Sequence, residues 1–317
     1  MNKHMAKKGL KIKKHKNMTN KVMVCLMMLP GLLYLLINNY LPMYGITMAF
    51  REPDFSLDNV LNSPFNGFEN FKFLFENDQL GLYIRNTVLY NVVFLVLNIV
   101  IPVTMAILFA NILGKRMKRF YQTSILLPYL MSWVVVSYIA FALLSTESGM
   151  LNGIIQAFGG KKIDFYSEEA LAFWPFLLTF FNMWKGVGFS FLFYYSSIIA
   201  IDPSLFEAAK LDGASFKQQI RFITLPSIKP TIIMMFILGI SRIFSSDYGL
   251  FYLVTKNSGP LYPVTQTIDT FIFNSMMGSG DIVSSSAAGF LQAIIGFVLI
   301  IGSNLIIRKV DSDSAMF

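Results

Sequence analysis

The side chains best placed to do chemistry are charges set inside apolar sequence. Lys185 stands mid-way along a hydrophobic run from Leu171 to Ala200, and Arg242 and Asp247 stand in another from Thr231 to Val254. Read as helix at ~1.5 Å per residue, Lys185 lies roughly 20 Å from either end of its run and Arg242 roughly 18 Å from Pro230. Side chains at that depth cannot easily snorkel to water. Ionisable groups inside a membrane face a bundle interior or a wet pathway, because exposure to lipid costs on the order of several kcal/mol. Trp184 and Tyr248 each adjoin one of these charges and offer flat apolar surfaces. Lys185, Arg242, Asp247, Trp184 and Tyr248 therefore read either as the lining of a solute path or its gate, or as packing held by an interhelical ion pair such as Lys185 with Asp247. Arg242 and Asp247, five apart on one helix, would project about 140° from each other and would not pair.

A second constellation is polar and lies between two hydrophobic runs. Glu207-Ala208-Ala209-Lys210-Leu211-Asp212-Gly213 is followed after nine residues by Ile223-Thr224-Leu225-Pro226. Asp202 before Pro203 supplies an N-cap acceptor and a proline suited to the first helical position, and Gly213 supplies a stop, so Pro203 to Asp212 reads as a short helix. Ser215 with Gln218 matches a capping box and starts a second short helix, which should end before Leu225-Pro226. Leu205, Ala208 and Ala209 share a face, and small alanines admit close approach of another surface. Local physics alone fits an ordinary capped re-entry loop equally well.

Other chemistries are excluded by residue usage. Cys25 is the only cysteine, so no intrachain disulfide forms. His4 and His15, the only histidines, both fall in the N-terminal tail, leaving none for a metal site or catalytic triad elsewhere. Gly278-Ser279-Gly280 lacks a following Lys-Ser or Lys-Thr and does not make a phosphate-binding loop. The chain is expected to bind no cofactor and to hydrolyse no ATP by itself.

The elements that must position these residues are membrane spans. Hydrophobic residues make up 55% of the 317, charged residues only 14%, and the mean hydropathy is +0.56, which marks an integral membrane protein. Six stretches exceed the ~20 residues that cross a hydrocarbon core: Val22 to Phe50, Thr87 to Leu113, Phe120 to Leu144, Leu171 to Ala200, Thr231 to Val254 and Ala287 to Ile307. Their length and the lack of period-two alternation favour helices over barrel strands. The expected fold is an all-α bundle of six transmembrane helices with a two-helix polar insert. Residues 1–21 form a basic tail, 22–310 the transmembrane domain with the insert at 202–229, and 311–317 a C-terminal tail.

Basic residues set the orientation. The N-terminal tail, the second to third helix turn, the insert and the C-terminus hold 18 of the 26 lysines and arginines, whereas the alternate connections hold 6. This excess puts both termini and the insert in the cytoplasm, and the tail also lies against anionic headgroups of membrane lipid. The tail lysines precede a span without interleaved aromatics, so nucleic acid is not the expected partner. No small-residue cleavage site follows Leu36, and the first helix reads as an anchor.

The pattern Glu-Ala-Ala, three residues, Gly, nine residues, Ile, one residue, Leu-Pro resembles the cytoplasmic loop of binding-protein-dependent ABC importer permeases. The resemblance extends over nearly the whole chain to the oligosaccharide branch that includes the lipoprotein-type sugar permeases. It is carried by Pro30-Gly31, Tyr40-Leu41-Pro42-Met43-Tyr44-Gly45, Gly67-Phe68-Glu69-Asn70-Phe71, Arg85-Asn86-Thr87, Leu127-Pro128, Ser132-Trp133-Val134-Val135 and Ile268-Asp269-Thr270. It implies the type I importer permease fold in a bacterial plasma membrane. It also implies a second homologous permease subunit, a cytoplasmic ATPase dimer carrying ATP and Mg, and an extracellular lipid-anchored binding protein that delivers sugar. Under it, Glu207 is the polar contact to the ATPase, Ala208 and Ala209 pack closely against it, Gly213 is the bend, and Ile223, Leu225 and Pro226 return the chain to the membrane. The same machine moving a non-sugar solute is the nearest alternative. A secondary transporter would need inverted repeats, which are not evident, and a membrane enzyme would need a catalytic cluster.

Overall fold

The computed structural model describes residues 16–52, 63–76, 78–111 and 114–310. Residues 1–15 of the basic tail, with His4 and His15, and the C-terminal tail 311–317 lie outside the described residues. Among the described residues, thirteen α-helices follow one another: α1 (Lys16–Leu35), α2 (Glu69–Glu76), α3 (Leu80–Ala110), α4 (Lys115–Leu130), α5 (Trp133–Leu144), α6 (Met150–Ala157), α7 (Trp174–Ile199), α8 (Pro203–Leu211), α9 (Phe216–Gln219), α10 (Leu225–Ile240), α11 (Tyr262–Thr265), α12 (Ile268–Met277) and α13 (Ile282–Val310). Among the described residues the only β pairing is an isolated bridge between Arg51 and Phe65.

Among the described residues, five helical stretches are long and apolar enough to span a membrane, and α4 with α5 makes a sixth only as a pair bent by 95°. The bend has a local cause. Ser132 adopts an extended conformation and its hydroxyl accepts from the Val135 amide, an N-cap that starts a new helix inside an apolar run. The third span is therefore broken rather than straight across Phe120 to Leu144.

The fifth span also differs from expectation. It runs over Phe216–Ile240, not over Thr231 to Val254: α9 ends before Leu225-Pro226 as its capping box implies, but the chain stays helical through to α10. A wide turn over Ile220–Thr224 joins α9 to α10, closed by the Leu225 amide on the Ile220 carbonyl. Pro226 thus falls in the first turn of α10, where its missing N–H is tolerated. The helix ends instead at Ile240, and Asp247 starts the next piece by accepting from the Gly249 amide at 2.8 Å. The expected azimuth of Arg242 relative to Asp247 assumed one continuous helix and does not apply.

α3 and α7 form the most extensive helix pair, with α4 packed on α7. One apolar cluster, at the end away from α8, centres on Trp174, Leu178, Phe251 and Val136, and a second, nearer α8, on Phe191, Tyr194, Phe109 and Ile228. Between them, Asn98 and Asn182 hydrogen-bond across the α3–α7 contact at 3.3 Å. Close approach of α4 to α7 depends on Gly188, where a Cβ would overlap the backbone of Ile125 and Leu126. The first span stays exposed until its last turns at Leu41–Phe50, which pack on α13.

Gly188→Val should separate α4 from α7, with a loss of about 1–3 kcal/mol as typical of overpacking. It should appear as a lowered thermal midpoint of the purified protein in detergent. An unchanged midpoint would show that the two helices do not pack on this glycine.

Candidate coupling surface and translocation face

The polar insert begins where α7 ends. Asp202 Oδ1 accepts from the Ser204 amide at 2.9 Å. The Ser204 amide, then its hydroxyl, holds the Asp202 carboxyl below the usual carboxylate range. The cap is therefore fully made above the ordinary carboxylate pKa and is lost as pH falls through the lower folded value. At the other end of α8, Gly213 has φ +76°, and the amides of Gly213 and Ala214 close on the carbonyls of Lys210 and Ala209. Such a left-handed terminus favours glycine. Ser215 and Gln218 then make both bonds of a capping box.

α8 does not lie flat on the bundle. A cleft of about 540 Å³ separates it from the ends of α3 and α7 and is lined by Ile107, Asn111, Ile198, Glu207, Lys210 and Phe216, among others. Glu207 and Ala208 are exposed and Ala209 is half-buried. Leu205, Leu211 and Phe216 are exposed apolar side chains beside them, Leu211 at 90%. Ile223 is half-buried in the wide turn, while Leu225 and Pro226 are exposed at the start of α10. The insert is a stiff, capped projection with an apolar edge.

The deep charges gather elsewhere, where the two helix breaks meet. Lys185 lies roughly 16 Å from the start of α7 and roughly 21 Å from its end by helical rise. Its Nζ donates to the Tyr129 carbonyl at 3.0 Å, a group freed by the α4–α5 break, and stands 5.5 Å from the Tyr129 ring and 5.2 Å from the Trp133 ring. Trp133 Nε1 donates to Asp247 Oδ2 at 2.6 Å, and its ring lies so close to Gly249 that a Cβ there would overlap it. Lys185 and Asp247 make no direct ion pair; Trp133 stands between them. Arg242 is exposed in the turn after Ile240.

The two expected aromatic surfaces have other duties. Trp184 packs against the core cluster around Trp174, so it does not accompany Lys185. Tyr248 stacks within a triplet, 4.7 Å from Tyr252 and 4.2 Å from Phe273. Trp133 and Tyr129 occupy the place assigned to them. A serine N-cap signal at Ser132, just after Pro128, was the sequence cue for this.

The second break is held by side chains from neighbouring helices. Asn91 of α3 donates to the carbonyls of Ile243 and Ser245, and Gln292 of α13 donates to that of Phe244. Asp269 of α12 accepts from the Ser246 amide and hydroxyl and from Gln292. Burial raises the Asp269 carboxyl, while these donors pull it back down. Asn86 donates to Pro263 and Gln266, and Thr87 accepts from the Ile268 amide, so α3 also fixes the connection into α12.

A family model described as binding-protein-dependent transport system inner membrane component matches residues 98–313, from within α3 to beyond α13. The chain belongs to that family. This permease is 33% identical over 288 residues, covering 91% of this chain and 88% of the relative, to the polygalacturonan/rhamnogalacturonan transport system permease protein YteP of Bacillus subtilis (strain 168). It superposes with a TM-score of 0.82 and 26% identity, over 93% of this chain and 98% of the other, on a chain of a bacterial ABC transporter involved in import of the acidic polysaccharide alginate. A bacterial alginate ABC transporter in complex with an alginate pentasaccharide-bound periplasmic protein matches with a TM-score of 0.81 and 26% identity, over 94% and 98% of the two chains. The permease is thus a multi-pass membrane protein with the type I ABC importer fold.

Gly213→Val should raise the energy of the α8 terminus by about 1–2 kcal/mol, the usual cost of a left-handed conformation for a residue with a Cβ. Faster amide exchange across 203–214 with the rest unchanged is the expected readout, and wild-type exchange would exclude that strain. Trp133→Phe keeps the ring but removes the donor to Asp247. It should lower the thermal midpoint in detergent by a few degrees, on the order of 1 kcal/mol for one partly exposed hydrogen bond, and an unchanged midpoint would mean that the bond does not join the two breaks.

Proposed function

We propose that this permease conducts an oligosaccharide inward, driven by ATP hydrolysis on a partner ATPase dimer that docks on α8 and α9. The observation that carries the reading is the exposed, doubly capped insert, whose stiffness suits it to transmit a rigid-body push to the spans it joins. Glu207 is the polar contact, Ala208 and Ala209 allow close approach, Gly213 sets the bend, and Ile223, Leu225 and Pro226 carry motion into α10, with which the insert is continuous.

The saccharides named for its relatives support an oligosaccharide cargo. A binding protein delivers it on the side away from the insert, and a second homologous permease subunit completes the pathway. The face at Lys185, Trp133, Asp247 and Arg242 lines that path. Both termini and the insert lie in the cytoplasm in this reading, which the distribution of basic residues supports. The permease itself binds no cofactor; ATP and Mg belong to the ATPase.

The test is uptake by the complete importer reconstituted in vesicles. Glu207→Arg should lower ATP-driven uptake at least tenfold while leaving membrane insertion intact. Wild-type uptake by that variant would remove Glu207 from the coupling contact. Uptake that persists with no ATPase present would overturn the importer reading.

A further inference from the structure

The cleft between α8 and the ends of α3 and α7 has a composition that ATPase docking on the exposed side of the insert does not account for. It lies where the same-side ends of three spans meet, α3 at Ala110, α7 at Ile199 and the fifth span at Phe216. It therefore stands at the border between hydrocarbon and water. Its depth is apolar, with Ile107, Ala110, Ile198, Ile201, Phe206 and Ile220 on its walls. Its volume of about 540 Å³ falls within the roughly 300–1,000 Å³ typical of ligand sites. Apolar walls left in water forgo the favourable free energy of burial.

The rim of the cleft is polar, and most of its groups are engaged within the protein. Asn111 Nδ2 donates to the Ile107 carbonyl at 2.7 Å, Gln219 Nε2 to the Ala214 carbonyl at 2.9 Å, and the Thr224 hydroxyl to the Gln219 carbonyl at 3.5 Å. Two lysines have more to give. Lys210 lines the cleft, is exposed and makes no salt bridge among the described residues. Lys118 of α4 reaches the same rim, its Nζ donating to the carbonyl of Ala110, a wall residue, at 3.1 Å, which leaves further ammonium N–H groups to donate. Glu207 is the carboxylate on that lining, one turn before Lys210, and does not pair with it. Asp202 is already engaged by the Ser204 amide. α4 adds positive charge of its own: it begins Lys115-Arg116-Met117-Lys118-Arg119 with no acid in its first turn, and Gly114 at its N-cap offers no side-chain acceptor. Cations at a helix N-terminus oppose the positive end of its dipole, a cost that a neighbouring anion removes.

We infer that this cleft seats an anionic phospholipid, its phosphate against Lys118 and Lys210 and the first part of its acyl chains along the apolar walls. Basic pockets between spans hold anionic headgroups in this way. A free phosphate would use the lysines and leave the walls uncovered, and a zwitterionic lipid would cover the walls and leave the excess of cations. The lipid fills the space between α8 and the bundle, so the insert rests on lipid as well as on protein. This seat is independent of the cargo.

The experiment follows amide exchange of the purified full-length permease in an uncharged detergent, with short-chain phosphatidylglycerol, the matching phosphatidylcholine or inorganic phosphate added. Phosphatidylglycerol should slow exchange across 198–224 at least tenfold, and the other two should leave it unchanged. Lys118→Gln combined with Lys210→Gln should abolish that protection, whereas Lys118→Arg combined with Lys210→Arg should keep it. Equal protection by phosphatidylcholine, or protection undiminished in the glutamine pair, would overturn the anionic-headgroup site. Equal protection by inorganic phosphate would reduce the cleft to an ion site and overturn the lipid. Protection that no lipid gives and that appears only on adding the ATPase would assign the cleft to that protein instead.

Discussion

Backbone carbonyls freed inside a membrane must find donors, and the rest of this structure depends on how that requirement is met. One span, α4–α5, is broken at Met131 and Ser132, and the fifth span ends at Ile240 ahead of a non-helical stretch. Irregular backbone at this depth is tolerated only where protein or a wet cavity satisfies it. Lys185 satisfies the Tyr129 carbonyl, Asn91 those of Ile243 and Ser245, and Gln292 that of Phe244. Lys185, Asn91 and Gln292 are thus donors aimed at specific irregular carbonyls, and they tie α7, α3 and α13 to those points.

That arrangement gives the molecule two regions of different stiffness. The α3–α7 pair, its apolar clusters and the glycine contact to α4 make a packed spine. The α4–α5 break and the stretch after Ile240, joined to each other by the Trp133 to Asp247 hydrogen bond, are where regular helix gives way. The insert is joined without interruption to α10, so under the proposed coupling a displacement of α8 and α9 would reach the helix that ends at Ile240.

Much of this was legible in sequence where the signal is local. The cap at Asp202, the stop at Gly213 and the capping box at Ser215 depend on backbone groups within a few residues, and each stands as the residue types imply. The fifth span lies earlier than its hydropathy implies because Pro226 falls in the first turn of α10, where its missing donor is tolerated, so helix continues from the insert into the span. Trp184 was preferred over Trp133 because adjacency in sequence stood in for adjacency in space. On α7 the neighbour of Lys185 points about 100° away from it, into the core.

The amino-acid sequence by itself determined the membrane class and the capped insert, since these follow from hydropathy and short-range hydrogen bonding, and its motifs carried the resemblance to the family. Only the tertiary structure decided which charges meet. Whether Lys185 pairs with Asp247, with a carbonyl or with a ring depends on two chain breaks more than a hundred residues apart in sequence being brought together around Trp133. That proximity is set by how helices pack across α3 and α7, a long-range property that no local pattern encodes.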